Sequence, residues 1–315
     1  MGSYEELERA VLDHYGVDAK HHLLDLERPR IRAHVVEYGD GVPAVLMHGG
    51  DGEGWNFAPL MAEMKADLRM FAIDRPAFGR SGRFDYTTVA DLRAHAVDYM
   101  TSLFDGLGLD SAVLVASSFS GTFALPFALA HPERVRGLVI PSYAAGIVRH
   151  ASWGTRIRAV FPRFGKGYTA QGRTAAGQEA MHRNLWGIPP GTLPEVFYAA
   201  RSAGAQLPGC EDTWLYLRNR ICGLRGLKAE ACFEADLHRI RRPVLVLWGQ
   251  DERNSVAAYR RATSTLPDSR FVLMPGVGHF PHMQAPAETA RYIREFLPST
   301  VDNKRVPGAL DGGQR

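Results

Sequence analysis

The chain has 315 residues, 45% of them hydrophobic and 23% charged, a balance that excludes a disordered, fibrous or membrane-embedded protein and implies a sizeable buried core. With 37 Lys+Arg against 34 Asp+Glu the net charge is only +3, and no basic run interleaved with aromatics forms a nucleic-acid track, so nucleic acid is not an expected partner. The opening MGSYEELERAVLDHYGVDAKHH is polar and acidic where a secretory signal needs a basic start and an apolar run, Glu6 stands where a myristoylation signal needs Ser or Thr, and no stretch of about 18 apolar residues occurs, so the expectation is a cytoplasmic protein with no membrane association.

In chain order, 1–28 read as a helix and an extended arm. Residues 31–38 alternate and end at Gly39-Asp40-Gly41, a hairpin-type turn, and 42–47 form a short buried strand. A helix is expected over 57–65, a strand over 69–73, and an amphipathic helix over 88–107 starting behind Thr87 and Thr88. Strand 112–116, helix 119–130, strand 135–140 and, much later, strands 244–248 and 271–274 continue the alternation. Short apolar strands separated by helices give an α/β class: one doubly wound, mostly parallel sheet covered on both faces.

Between the strands ending at 140 and beginning at 244 lie about 100 residues without a comparable apolar strand, too many for a plain connection. Helix-like stretches at 174–186, 192–203 and 212–221 suggest an inserted helical cap. The organisation expected is therefore an N-terminal helix and arm (1–28), a core (29–141 and 243–300), a cap (142–242) and a flexible tail (301–315). Over 146–242 there are 15 Arg/Lys against 7 Asp/Glu, which either favours an anionic substrate or is a solvated surface. Trp153, Trp186, Trp214 and Phe161 either line a pocket or form the core of the cap. Cys210, Cys222 and Cys232 make no CxxC and read as free thiols packed as small apolar residues.

The sharpest local pattern is Val113-Leu114-Val115-Ala116-Ser117-Ser118-Phe119-Ser120-Gly121, an apolar strand running into small residues around a serine and then into a helix. A serine on so tight a turn projects its hydroxyl from the sheet, while the backbone N–H groups that follow face any anion formed beside it. The pattern resembles the nucleophile elbow of the α/β-hydrolase superfamily, usually G-x-S-x-G, with Ala116 and Ser120 in place of the two glycines. The resemblance implies Ser118 as nucleophile. Ser117 and Ser120 compete, but only Ser118 has small residues two positions away on both sides.

Three further segments resemble the same superfamily in order. His48-Gly49-Gly50 resembles its oxyanion loop, which implies the Gly50 N–H as one donor and the Phe119 N–H as the other. Asp74-Arg75-Pro76-Ala77-Phe78-Gly79-Arg80-Ser81 resembles a structural D-x-P-G-x-G-x-S loop, with Ala77 departing from glycine. Gly276-Val277-Gly278-His279-Phe280-Pro281-His282 stands where the family carries its histidine, which implies His279 in preference to His282. The acid is expected after strand 244–248, at Glu252 by the G-x-x-D spacing, with Asp251 one residue early as the alternative.

These residues together imply a serine hydrolase that cleaves an ester, thioester or lactone of a small apolar molecule through an acyl-enzyme, with no metal or organic cofactor. Superfamily members that attack with an aspartate, the haloalkane dehalogenases and epoxide hydrolases, are disfavoured by Ser118. An aminopeptidase, which needs acidic groups to hold a free amine, is disfavoured by the basic cap. Carbon–carbon hydrolysis of a diketone and a non-catalytic ligand-binding protein on the same fold remain open, as does a homo-oligomer.

Overall fold

Each central strand is apolar on both faces, and its alternate residues feed two different cores. In the computed structural model, which describes residues 2–301, strands β3 (Val42–Met47), β5 (Ala112–Ala116) and β9 (Val244–Gly249) send Val45, Met47, Leu114, Ala116, Val246 and Trp248 to one side of the sheet. Ala44, Leu46, Val113, Val115, Leu245 and Leu247 go to the other. A strand buried on both faces can only lie inside a sheet covered by helices on both sides, which is the expected doubly wound arrangement.

The first side is covered by α3 (Leu92–Gly106) and α4 (Gly121–Ala130) through Tyr99, Leu103, Phe123 and Phe127. The second is covered by α1 (Tyr4–His14), α2 (Ala58–Glu63) and the helix Pro286–Val301 through Val11, Leu60, Met61 and Ile293. With β1 (Lys20–Glu27), β2 (Arg30–Tyr38), β4 (Leu68–Ile73), β6 (Val135–Pro141) and β10 (Ser269–Met274), the eight strands run β1-β2-β4-β3-β5-β6-β9-β10. The pairs β1–β2 and β2–β4 are antiparallel and the rest parallel. The arm expected within 1–28 is thus the edge strand β1, while the tail beyond Val301 lies outside the described residues.

Two expectations give way to tertiary contacts. The turn at 39–41 does not close a hairpin: β4 lies between β2 and β3. Gly39 and Gly41, at φ 87° and 136°, carry the chain across the start of β4, and a Cβ on either would meet the Leu68 or Asp67 carbonyl oxygen at 2.4 Å. Helix α3 starts at Leu92 and not at 88. Asp91 caps it, its carboxylate accepting from the amides of Arg93 and Ala94 at 2.8 and 3.1 Å, while Thr87 is held in a separate turn by Asp85.

The loop after β4 is fixed by the buried Asp74, which accepts from the amides of Gly54 and Arg80 at 2.7 and 2.8 Å and pairs with His34 at 2.7 Å. Gly79 is required there, because a Cβ would stand 2.2 Å from an Asp74 oxygen. Ala77, the departure from glycine, sits at φ 72°, a conformation that strains any residue with a Cβ. Ala77→Gly is expected to stabilise the protein by about 0.5–1 kcal/mol, read as a higher urea midpoint at unchanged slope.

Between β6 and β9 the chain forms five helices: α5 (Trp153–Val160), α6 (Pro162–Gln171), α7 (Ala175–Trp186), α8 (Glu195–Ala205) and α9 (Cys210–Ile221). A two-residue hairpin, β7 (Cys222–Gly223) with β8 (Gly226–Leu227), follows them. The last three helices match the stretches expected. Helices α5 and α6 lie outside the stretches expected; α6 holds Gly165 and Gly167, residues that favour helix weakly. Among the described residues no helix is long and apolar enough to cross a membrane.

Candidate active site

The strand β5 ends at Ala116, and the turn into α4 forces Ser118 to φ 53°, a positive value rarely adopted by a residue with a side chain. The turn survives without the usual flanking glycines because both replacements are small and inward. Ser120 donates its hydroxyl to the carbonyls of Met47 and Ser117, each at 2.8 Å. Glycine is indispensable at positions 49 and 121, where a Cβ would meet Ser118 Cβ at 2.8 Å and the Ala145 carbonyl oxygen at 2.3 Å.

Of the three candidate serines only Ser118 reaches a histidine, its Oγ lying 3.1 Å from His279 Nε2. Ser120 is spent on backbone carbonyls, and the Ser117 hydroxyl is buried without a hydrogen-bond partner among the described residues. The loop carrying His279 follows β10 and is held down by its own amide, which donates to the Trp186 carbonyl at 2.8 Å at the end of α7. His282 is also buried, but it stacks on Phe57 at 4.5 Å, and burial, aided by the nearby His279, lowers it to about 3. It is therefore a neutral packing residue that lines the cavity.

The acid beside His279 Nδ1 is Glu252, in a very short contact with its Oε2. Asp251, the alternative acid, makes no contact with the ring among the described residues. After β9 the chain turns, Glu252 N donating to the Gly249 carbonyl at 3.1 Å, so that residue 252 points inward while residue 251 stays exposed. The Glu252 side chain is only 3% exposed. Burial works to raise it, yet the charge and hydrogen bond of His279, joined by two hydrogen bonds from Asn254, win and hold it at about 2. Its Oε1 accepts from the amide and side-chain nitrogens of Asn254 at 2.9 and 2.8 Å, and its Oε2 from the Ser142 hydroxyl at 3.1 Å.

Ser142 and Asn254 went unnoticed in the sequence. Ser142 is 110 positions from its partner and carried no signal; its φ of 79° at the end of β6 aims it there. Asn254 could have been suspected from standing two places after the acid.

His48 and Arg75 shape the loop on the other side of Ser118. His48 Nδ1 donates to the Gly49 carbonyl at 2.7 Å, and its Nε2 accepts from the Arg75 amide at 3.0 Å. The buried Arg75 guanidinium binds the carbonyls of Gly49, at 3.3 Å, and Gly50, and lies 4.6 Å from the Phe119 ring centre. With the loop's carbonyls turned to Arg75, the amides of Gly50 and Phe119 donate to no other group among the described residues. Both residues line one cavity with Ser118 and His279. Unused donors beside a hydroxyl are what a developing oxyanion requires.

The cavity has a volume of about 310 Å³ and lies between the sheet's loops and the inserted helices. Of the four aromatic residues of this segment Trp186 and Trp214 line it, whereas Trp153 and Phe161, 66% and 44% exposed, belong neither to the cavity lining nor to a core. Cys222 lines it as a free thiol, and Cys210 and Cys232 are free as well. Away from it, Glu8, His21 and His34 bring metal-ligand atoms within 4.8 Å of one another. The Arg80 guanidinium already stands 3.5 Å from Glu8 and 3.3 Å from His21, supplying the cation this group would otherwise need.

Comparison with known proteins adds a sequence family and close folds. The family described as "Alpha/beta hydrolase family" matches residues 44–292. A "2-hydroxymuconate semialdehyde hydrolase" from a Pseudomonas species is 37% identical, over 85% of this chain and 90% of that protein. A "Pimeloyl-[acyl-carrier protein] methyl ester esterase" from Chromobacterium violaceum is 28% identical, over 82% and 95%. The crystal structure of a carboxylesterase from Bacillus subtilis superposes with a TM-score of 0.73 at 21% identity, covering 93% of this chain and 96% of that one.

Proposed function

Because the chain belongs to the alpha/beta hydrolase family, we propose that it is a serine hydrolase that cleaves an ester, thioester or lactone of a small molecule through an acyl-enzyme. The observation that carries this reading is the line Ser118 Oγ, His279 Nε2, His279 Nδ1, Glu252 Oε2, with the first gap at 3.1 Å. A serine hydroxyl is a weak nucleophile at neutral pH and needs an imidazole to take its proton as it attacks.

In the proposed reaction Ser118 Oγ bonds to the substrate's carbonyl carbon while its proton passes to His279 Nε2. The carbonyl oxygen, now anionic, accepts from the Gly50 and Phe119 amides, and Glu252 holds the ring and offsets its positive charge. His279 then gives the proton to the departing oxygen or sulfur, leaving the acyl group on Ser118. Water, losing a proton to His279, attacks the acyl carbon, and collapse returns the proton to Ser118 and frees the acid. The scheme needs neither metal nor cofactor, and the cytoplasmic location expected from the sequence belongs to the same reading.

Carbon–carbon hydrolysis of a diketone is the second reading, favoured by the 37% identical relative named a semialdehyde hydrolase and by another named "2-hydroxy-6-oxo-2,4-heptadienoate hydrolase". Turnover of a panel of p-nitrophenyl esters, lactones, thioesters and dienone acids, run beside Ser118→Ala, tests both. Ser118-dependent turnover of the esters, lactones or thioesters supports the first reading, of the dienone acids alone the second, and of none the non-catalytic alternative.

A further inference from the structure

The cavity carries a charge that its chemistry at Ser118 does not use. Four arginines line it, Arg158, Arg201, Arg218 and Arg253, against two carboxylates, Asp51 and Glu252. Both carboxylates are engaged: Glu252 with His279, and Asp51 with Arg201 at 3.6 Å. Arg201 is also matched by the buried Glu53 at 2.5 Å, and Arg253 stands exposed at the rim.

Arg158 on α5 and Arg218 on α9 are left. Among the described residues neither guanidinium makes an ion pair or a hydrogen bond, and the Arg218 Nε is buried without a partner in a residue that is only 5% exposed. Their guanidinium carbons each lie 5.3 Å from the ring centre of Tyr168, and that of Arg218 lies 5.9 Å from the ring centre of Trp214. Cation–π contacts offset only part of the cost of drawing a guanidinium out of water. Burial accordingly lowers both from their ordinary values. Gly165 makes the room, since a Cβ there would stand 2.5 Å from an Arg218 nitrogen.

The pair also has a defined relation to the reacting centre. Trp214 packs edge-on against Phe119 at 5.4 Å, and its ring is 3.0 Å from where a Gly50 Cβ would be. Arg218 follows it by one turn of α9. A molecule whose carbonyl oxygen faces the Gly50 and Phe119 amides can therefore run along the indole and reach the two guanidinium groups.

We propose that Arg158 and Arg218, both packed against Tyr168 and both lining the cavity, form a subsite for a carboxylate at the far end of the substrate, so that the preferred substrate is an ester or related acyl compound bearing a second, ionised carboxyl group. A guanidinium binds a carboxylate through paired N–H donors, and a second one beside it supplies charge that water cannot screen in the cavity. The substrate is then apolar in its middle, along Trp214, and anionic at its end. The inference deepens the hydrolase reading and rests on it only in that the anchored molecule is the one presented to Ser118.

The test uses monomethyl esters of straight-chain dicarboxylic acids, from glutarate to suberate, beside the dimethyl esters of the same acids. Calorimetric binding is measured to the full-length Ser118→Ala protein, so that no turnover is needed. At least one half-ester is expected to bind about tenfold or more tightly than its dimethyl ester, the scale of one charge-assisted hydrogen bond. Arg158→Gln and Arg218→Gln, each added to that protein, are expected to remove the preference, and Arg218→Lys to keep part of it. Equal binding of charged and uncharged esters, no binding of any half-ester at millimolar concentration, or a preference that survives both glutamine substitutions overturns the proposal. If Arg218→Gln does not fold by near-ultraviolet circular dichroism, Arg158→Gln and Arg218→Lys decide. Failure of the hydrolase reading shows separately, as wild-type protein that binds the half-ester but does not cleave it.

Discussion

Replacing Ser118 by alanine is expected to lower kcat on an activated ester by about a millionfold while leaving KM within a few-fold, the pattern for loss of a nucleophile that contributes little to ground-state binding. The substitution keeps the Cβ, so the turn at φ 53° and the 2.8 Å approach of residue 49 to that Cβ are unchanged. The neighbouring hydroxyls are not substitutes. Ser120 is held by two backbone carbonyls, and among the described residues the Ser117 hydroxyl has no hydrogen-bond partner. Steady-state kinetics on p-nitrophenyl butyrate measures the effect, and an alanine variant retaining a tenth of wild-type kcat would remove Ser118 from the reaction.

The second large effect separates two adjacent acids. Glu252→Gln is expected to lower kcat by about 10³–10⁴-fold, because a neutral amide neither selects the useful tautomer of His279 nor offsets the imidazolium. Asp251→Asn is expected to stay within about twofold, since Asp251 is exposed, lies outside the cavity lining, and is tied to the neighbouring loop through its amide on the Val277 carbonyl. The same pair carries a pH signature. The carboxyl of Glu252 is depressed from 4.5 to about 2, so its contribution to stability is complete above about pH 4.5 and is lost as the pH falls through about 2. The difference in melting temperature between wild type and Glu252→Gln should therefore be constant above pH 5 and shrink between pH 4.5 and 2. A difference that vanished already at pH 5 would mean that Glu252 is not held ionised in the folded protein.

The legible parts of the molecule are those in which a few neighbouring residues dictate the structure. The run Val113 to Ala116 is apolar on both faces and so reports a central strand, and the small residues around Ser118 report the turn that follows. Spacing from Gly249 was enough to favour Glu252 over Asp251, because the turn after β9 sets which of two adjacent side chains points inward. What stayed hidden depends on chain segments that meet only in the fold. Gly39-Asp40-Gly41 has the composition of a hairpin turn, and only the placement of β4 makes it a crossing. Ser142 touches the site from an element whose own sequence says nothing of it, and Arg75 from a loop whose resemblance implies only a structural part. The basic excess over 146–242 was visible as a count, but most of those arginines are solvated or paired. The two that matter, the half-buried Arg158 and the buried Arg218, are distinguished only by their place in the cavity beside Tyr168 without a counter-ion among the described residues.

The most direct measurement of the central chemistry is the intact mass of the protein after exposure to a fluorophosphonate, followed by location of the modified peptide. A single adduct on Ser118 of the wild type, absent from Ser118→Ala and slowed in Glu252→Gln, is the expected result. An adduct that persists in Ser118→Ala, or no adduct under conditions that label a known serine esterase, would contradict a nucleophile activated by His279.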